Sequence, residues 1–292
     1  MSLLSNLSSE SLPIPICIIH LLKTPQERDI TPLLWHLNYL LKRFSQRDIF
    51  SIAIFKAIHG HQDFLQQGIT FEHTHPVLND FSPHLPSFKE GLQLASLALK
   101  TPLDFLSFKQ LGRFASHYLL WQECVRLKRP MIILEDDVLP TNDFFEKCHL
   151  SLEALHADKA QIIRLLVHSK GHCAKTSINY NFDHLFSPQG LGTHGYMLNP
   201  NGAHKLLKAC PPLWTLKVDT YVDSYYNHHA LTFTLKSAIL LINPLDSESP
   251  PTSTDYFKGK LKCLFYLLRT CNYILKIKLF AKHYLSLFLR PS

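Results

Sequence analysis

Three acidic residues stand directly after an apolar run in the middle of the chain. Residues 131–134 read Met-Ile-Ile-Leu, and Glu135, Asp136 and Asp137 follow without a break. The apolar run is typical of a strand buried on both faces. Three adjacent carboxylates repel one another and are costly to bury unpaired. We therefore expect them to face water, a cation or a basic group.

Carboxylates at the carboxyl end of a strand can hold a divalent cation. In open α/β sheets, ligands bind in the crevice at this edge, and Mg²⁺ and Mn²⁺ favour oxygen ligands. One interpretation is therefore a metal shared with a substrate diphosphate. The other is a solvated strand end, or the beginning of a helix near residues 141–143. The residues alone leave both interpretations open.

The elements that must position these acids alternate between strands and helices. The predicted strands are residues 14–22, 50–58, 131–134, 161–167 and 196–198. Helices are predicted from Thr31, from Gly112, over residues 143–155, and after Asn199 as N-cap with Pro200 at the first position. This alternation predicts an α/β fold with a mixed, mostly parallel sheet flanked by helices. Residues 61–110 have weak periodicity and predict a loop-rich insertion.

The composition and charge of the 292 residues exclude several classes of protein. Hydrophobic residues make up 46% and charged residues 18%, which excludes disorder, collagen and coiled coil. The net charge is +7, but residues 256–292 hold eight Lys or Arg and no acid. The remaining 22 basic residues face 23 acidic ones, so a nucleic-acid partner is not expected. We predict a catalytic domain over residues 1–255 and a separate tail over 256–292.

The tail also has a pattern of its own. Basic residues recur every seven positions, at Lys262, Arg269, Lys276, His283 and Arg290. Apolar and aromatic residues fill most of the other positions, and the uncharged stretches are too short for a span. The pattern favours a basic amphipathic helix on an anionic membrane surface. The alternative is a helix pair packed on the rest of the protein.

The cysteines and the N-terminus indicate a cytoplasmic protein. The seven cysteines are irregularly spaced and form no CxxC pair, which suits a reducing compartment. Residues 1–13 have no basic segment, and Pro13 and Pro15 interrupt the first apolar run, so we expect no secretory signal. Together with the tail, these features predict a peripheral protein on the inner face of the cytoplasmic membrane.

Five sequence blocks stand in a fixed order along the chain. The central block, residues 112–138, pairs a G-x-x-x-S-H-x-x-x-W helix with the strand that ends in EDD. The other four blocks are IIHLLKTPQER (18–28), AIHG (57–60), GTHGYMLNPNGAHKLL (192–207) and VDTYVD (218–223). Together they resemble glycosyltransferase family 25, the bacterial lipooligosaccharide glycosyltransferases, and the resemblance covers about residues 16–245.

The resemblance implies a GT-A fold, a divalent metal (Mn²⁺ or Mg²⁺) and a UDP-sugar donor. It implies transfer with inversion to a lipid-linked lipooligosaccharide or lipopolysaccharide core, and UDP-galactose is the donor it favours. It implies that Asp137, together with Glu135, binds the metal. It also implies that Asp219 or Asp223 is the catalytic base. A helix-surface carboxylate is the other interpretation of Asp223. The substrate-binding candidates in the matching blocks are His20, Lys23, Arg28, Gly112, Ser116, His117, Glu135, Asp136, Gly195 and Tyr196.

The chain departs from the family pattern at two places, and other functions stay open. Ile58-His59 stands where an acid or amide is common, and Lys217 stands where proline is common. The alternatives are another UDP-sugar (glucose or N-acetylglucosamine), phosphoryl transfer at the acidic strand end, and a membrane-associated sugar-nucleotide-binding protein without turnover.

Overall fold

The computed structural model describes residues 12–22, 27–58, 108–166, 172–189, 192–211 and 214–242. It also describes residues 96, 99 and 106 and several helical residues between 266 and 282. The chain divides into two compact units. The first comprises residues 1–58, 115–210 and 222–247, and the second 59–114, 211–221 and 248–292. The second unit thus combines the predicted insertion with the predicted tail, and a domain boundary at residue 255 stays a prediction.

The described part of the first unit is built on an eight-stranded sheet with the order β2-β1-β3-β8-β5-β9-β7-β6. Strands β4 and β10 form a separate antiparallel pair. Six of the eight strands run in one direction, and β7 and β8 run in the other. The strands are β1 (Ile14–His20), β2 (Phe50–Lys56), β3 (Met131–Glu135), β4 (Val138–Pro140), β5 (Ile162–Arg164), β6 (His172–Ser177), β7 (Phe182–Gln189), β8 (Gly195–Leu198), β9 (Thr232–Leu235) and β10 (Leu240–Ile242).

Helices cover both faces of this sheet. They are α1 (Thr31–Arg43), α2 (Phe108–Leu127), α3 (Phe144–His156), α4 (Pro200–Ala209), α5 (Val218–Val222) and α6 (Tyr225–His228). One face packs against α1 and α3, and Leu37 and Cys148 share a core there with Ile132 of β3. The opposite face meets α2, because Trp121 hydrogen-bonds Tyr196 of β8. Strands covered on both faces explain the continuous apolar runs in the sequence.

Local sequence explains where the predicted helices begin. Pro32 lies in the first turn of α1, where its missing N–H costs nothing. The side chain of Asn199 accepts a hydrogen bond from the backbone N–H of Gly202 at 2.8 Å and caps α4. The sheet order and the helices on its two faces confirm the predicted mixed α/β sheet flanked by helices. The antiparallel hairpin of β6 and β7 is an addition that the sequence did not indicate.

Five cysteines have described side chains, and none of these five forms a disulfide bond. They are Cys17, Cys124, Cys148, Cys210 and Cys271. Cys17 lies on β1, Cys124 on α2 and Cys148 on α3, and all three are buried. Burial raises the pKa of the Cys17 thiol to about 12 and also raises the pKa values of Cys124 and Cys148.

The described part of the second unit is smaller. Its aromatic core includes Phe114, whose ring lies 4.7 Å from that of Trp214 and 5.4 Å from that of Tyr221. Among the helical residues between 266 and 282, Cys271 and Leu275 are buried. The repeating basic residues of the tail lie outside the described residues. No helix in the described parts of the chain has the length and apolar character needed to cross a membrane.

Candidate active site

The acidic residues lie where several loops of the first unit meet at one edge of the sheet. Strands β1 and β3 are parallel, so their last residues, His20 and Glu135, reach the same edge. Strand β8 runs the other way and begins there, at Gly195. The turn of residues 192–194 therefore lies beside residues 135–137. This is the edge at which open α/β sheets bind their ligands.

Glu135 is held from both its backbone and its side chain. Its amide N–H donates to the carbonyl of His194 at 2.8 Å, and its Oε1 accepts from the hydroxyl of Thr193 at 2.7 Å. The Nε2 atom of His117 lies 3.5 Å from the same Oε1. Glu135 is 8% exposed. Its carboxylate is thus fixed by the turn that precedes β8.

A buried phenol orients His117. Tyr196 Oη lies 2.9 Å from His117 Nδ1, and the indole N–H of Trp121 donates to the same oxygen at 2.8 Å. Because an indole N–H can only donate, the phenol is left to donate its proton to Nδ1. In a neutral ring the proton of His117 then lies on Nε2, the atom that faces Glu135. Burial raises the pKa of the Tyr196 phenol, which keeps that donor protonated.

The S-H-x-x-x-W pattern therefore has a structural explanation. His117 and Trp121 are four residues apart, so they project from one face of α2 onto one side chain of β8. Ser116 accepts a hydrogen bond from the backbone N–H of Ile58 at 2.8 Å. It thereby holds the segment that follows β2. None of Ser116, His117 and Tyr196 exposes surface. This geometry supports positioning roles for them, and direct substrate contact stays a prediction.

Asp136 is bound by two basic side chains. Its Oδ2 lies 2.9 Å from Nδ1 of His20, and its Oδ1 accepts from the guanidinium of Arg28 at 2.9 Å. Arg28 also lies 3.6 Å from Asp137 Oδ2. His20 is only 2% exposed, whereas the Arg28 side chain is 34% exposed. Arg28 is thus the member of this group best placed to reach a substrate phosphate.

Two of the predicted metal ligands converge with a residue that sequence reasoning missed. Glu135, Asp137 and His194 each offer one ligand atom, and these atoms lie within 4.8 Å of one another. His194 Nε2 is 3.9 Å from Asp137 Oδ2. Two carboxylates and an imidazole fit Mn²⁺, which accepts both oxygen and nitrogen ligands. His194 could have been found from the Gly-Thr-His-Gly sequence, where a histidine sits in a tight turn before a buried strand.

The glycines of the matching blocks have steric roles. Gly192 has φ of +73°, a left-handed conformation that places Thr193 and His194 at the acidic edge. A Cβ on Gly195 would overlap a methyl carbon of Leu240, which would have to move, and would lie 3.1 Å from a methyl carbon of Leu134. Gly112 is buried within α2. Lys23, one of the predicted substrate-binding residues, lies outside the described residues.

The two base candidates have different surroundings. Asp223 lies one residue after α5 ends, is 5% exposed, and accepts from the buried guanidinium of Arg164 at 2.6 Å. The alternative of a helix-surface carboxylate is therefore wrong. Asp219 is the second residue of α5, is half-buried, and accepts from the N–H of Thr220 at 2.8 Å. The roles of both as base stay predictions.

Arg164 is a second residue that sequence reasoning missed. Its guanidinium is fully buried and donates to the carbonyl of Gly192 at 2.6 Å as well as to Asp223. It also lies over the ring of Tyr196, at 5.8 Å from the ring centre. Arg164 lies within the strand predicted at residues 161–167, but the sequence did not indicate which groups it would contact. Only the folded chain brings Gly192 and Asp223 to it.

Comparison with known proteins points to one family. The family model described as glycosyltransferase family 25 (LPS biosynthesis protein) matches residues 36–222, close to two thirds of the chain. No curated protein matches the chain. A crystal structure of UDP-glucose pyrophosphorylase complexed with UDP-glucose aligns at 10% identity over 94% of this chain and 100% of that chain, with a TM-score of 0.39. Similarity at that level says nothing about the activity of this chain.

Proposed function

The chain belongs to glycosyltransferase family 25 and is an enzyme that transfers sugars, and we propose that it transfers galactose from UDP-galactose to a lipooligosaccharide or lipopolysaccharide core. The family expected from the five sequence blocks is thereby confirmed. The donor sugar, the metal dependence, the inverting course and the GT-A architecture belong to the proposal. UDP-glucose and UDP-N-acetylglucosamine are the alternative donors.

The observation that supports this proposal is the convergence of Glu135, Asp137 and His194. When bound, Mn²⁺ or Mg²⁺ would be held by these side chains and would offset the negative charge of the departing diphosphate. Arg28 lies beside Asp137 and could contact the same phosphates. Thr193 and His117 hold Glu135 in place, so the ligand set is formed before any substrate binds.

Inversion by direct displacement also requires a base for the acceptor hydroxyl. Asp219 is the better candidate, because Asp223 is already paired with a buried guanidinium at 2.6 Å. An arginine partner stabilises the ionised form of a carboxylate and so reduces its tendency to take a proton. Asp219 is half-buried in the first turn of α5, and no arginine pairs with it among the residues that the structure describes.

The proposed acceptor is anchored in a membrane, so the enzyme should act at the membrane surface. We expect the tail, residues 256–292, to contact the anionic cytoplasmic leaflet. Deleting residues 256–292 should release the protein from liposomes that contain phosphatidylglycerol. If the shortened chain still co-sediments with those liposomes, the tail is not the attachment.

The test of the proposed reaction is UDP release from a panel of UDP-sugars, with Mn²⁺ or with EDTA. The acceptors are glucose- and N-acetylglucosamine-terminated oligosaccharides. We expect metal-dependent release with UDP-galactose and with no other donor. Release that EDTA leaves unchanged would contradict the metal assignment, and release with a different donor would replace galactose by that sugar. A chain that binds Mn²⁺ but releases no UDP with any donor would contradict the proposed donor class.

A further inference from the structure

The outer face of helix α1 carries an exposed aromatic stripe. Trp35 is 67% exposed, Tyr39 is 42% exposed, and Phe44, just after the helix, is 41% exposed. The rings of Trp35 and Tyr39 are stacked, with centres 5.7 Å apart and planes inclined by 6°. The inner face of the same helix is buried against the sheet. The stripe is therefore additional to what packing of α1 requires.

The charge around this stripe is positive in excess. Residues 31–47 contain Lys42, Arg43 and Arg47 and no Asp or Glu. All three basic side chains are exposed, and one exposed acid, Asp48, follows them. The guanidinium of Arg43 lies 5.9 Å from the centre of the Tyr39 ring and 5.4 Å from that of Phe44. The residues before the tail carry nearly balanced charge, so this local excess is a feature of α1.

We propose that this face of α1, defined by Trp35, Tyr39, Lys42, Arg43 and Phe44, docks on an anionic lipid surface. Tryptophan and tyrosine are the side chains that favour the boundary between lipid and water, because each has an apolar ring and a polar atom. The neighbouring cations match the negative headgroups. Neutral protein partners would not require this excess of positive charge, and a second copy of the chain would bring the same cations into contact.

The position of α1 gives the docking a consequence for the site. The helix begins three residues after Arg28, which binds Asp136, and it connects the parallel strands β1 and β2. Its first turn therefore lies at the same edge of the sheet as residues 135–137. Trp35 is the fifth residue of α1, about 6 Å along its axis from the start. A bilayer bound to this face would lie close to the acidic edge. The proposal does not depend on which sugar is transferred.

The natural tryptophans provide a direct test. Trp35 is exposed, whereas Trp121 and Trp214 are 0% and 3% exposed, and the chain has three tryptophans in all. The full-length protein is mixed with vesicles of phosphatidylglycerol and brominated phosphatidylcholine, whose bromine atoms quench a nearby indole. We expect the fluorescence of Trp35 to be quenched by these vesicles. The quenching should disappear when the vesicles contain brominated phosphatidylcholine alone, and also at high salt. In Trp35→Phe the remaining fluorescence should not be quenched.

Charge variants then test the contribution of the cations. Lys42→Gln and Arg43→Gln should each weaken vesicle binding roughly fivefold, the effect of removing one charge near an anionic surface. Lys159→Gln, an exposed lysine elsewhere, and Tyr180→Gln, an aromatic side chain that is 89% exposed, should leave binding unchanged.

Two results would overturn the proposal. In the first, the protein co-sediments with the vesicles but Trp35 is not quenched, which would place the contact elsewhere, for example in the tail. In the second, the lipid-free protein sediments as a dimer in which Trp35 is shielded from acrylamide, which would make the face an interface between copies. Either result would leave the proposed sugar transfer intact.

Discussion

Glu135, Asp136 and Asp137 are adjacent in sequence but have different partners. Glu135 is fixed by Thr193 and lies close to His117. Asp136 is bound by His20 and Arg28. Asp137 lies 3.6 Å from Arg28 and 3.9 Å from His194. Arg28 reduces the mutual repulsion of these acids, and their other partners come from the end of β1, from α2 and from the turn before β8, so each acid can have a separate role.

Replacing Asp137 should remove activity without unfolding the protein. In Asp137→Asn we expect UDP release to fall by about a hundredfold or more, because charge at the departing diphosphate is no longer offset. Calorimetry should show weaker Mn²⁺ binding, and circular dichroism should be unchanged. Asp48→Asn, at an exposed aspartate, is the matched control. Unchanged Mn²⁺ affinity in Asp137→Asn would remove Asp137 from the ligand set.

The phenol of Tyr196 should contribute to stability as well as to the site. Tyr196→Phe removes the hydrogen bond that the phenol accepts from Trp121 and the one that it donates to His117, and buried losses of this kind cost about 1–3 kcal/mol. Urea unfolding measures this change in the free energy of unfolding. Tyr180→Phe, at an 89% exposed phenol, should have no measurable effect. An unfolding midpoint equal to that of the unchanged protein would show that the phenol does not support the core.

Residue types alone were sufficient to find the acids but not their surroundings. The run of three carboxylates after an apolar strand predicted a site at residues 135–137. It could not indicate that Asp136 would pair with His20 and Arg28, because these residues are 116 and 108 positions away from it in the sequence. His194 was missed for the same reason, since its position depends on the antiparallel pairing of β8 with β3.

At the scale of elements, the turn of residues 192–194 connects the acidic edge to the interior of the first unit. Thr193 and His194 point to the acids, while the carbonyl of Gly192 accepts from Arg164 of β5. Arg164 in turn holds Asp223, which follows α5. One buried guanidinium thus fixes the turn that carries a proposed metal ligand, and fixes the segment after α5 at the same time.

Breaking this buried ion pair should destabilise the first unit strongly. Arg164→Met removes the guanidinium from a buried carboxylate, which typically costs about 3–5 kcal/mol. The double variant Arg164→Met with Asp223→Leu should recover much of that loss, because no buried charge remains. Urea unfolding of the two single variants and the double variant measures the coupling between the residues.

A partly exposed ion pair of the same sheet provides the control. Lys236 lies 3.7 Å from Asp183 and is 37% exposed, so Lys236→Met should cost no more than about 1 kcal/mol. If Arg164→Met costs as little as Lys236→Met, the buried pair does not hold the turn.

Elements with strong local signals were predicted well, and elements that depend on pairing were not. Helices α1 and α4 begin where Pro32 and Asn199 predicted. Strands β6 and β7 were missed, since His172–Ser177 and Phe182–Gln189 are polar and lack an apolar run. They are stabilised by pairing with each other and with β9, which local sequence does not reveal.

At the scale of the whole molecule, a buried histidine should make stability depend on pH. Burial, with Arg164, His229 and Lys205 nearby, lowers the pKa of His228 from 6.5 to about 3. Its Nδ1 accepts from the N–H of Ala230 at 3.0 Å, and its Nε2 donates to the carbonyl of Val222 at 3.1 Å. The neutral ring therefore satisfies both contacts, and protonation of Nδ1 breaks one of them.

The direction of this effect follows from proton binding. Between pH 6.5 and about 3, the unfolded chain binds a proton at His228 that the folded chain does not. The contribution of His228 to the free energy of unfolding is thus fully present above pH 6.5 and declines as the pH falls. We expect the difference in unfolding free energy between the unchanged protein and His228→Gln to shrink from pH 7.5 to pH 5. A difference that stays constant over this pH range would contradict the lowered pKa of His228.

The three buried thiols on β1, α2 and α3 can report local opening of the first unit. Cys17, Cys124 and Cys148 lie within the first unit, and burial holds their thiols in the unreactive protonated form. An alkylating reagent can reach them only during transient opening of the sheet. The rate at which each thiol is labelled, resolved by mass spectrometry, therefore measures how often each neighbourhood opens, with no probe introduced into the chain.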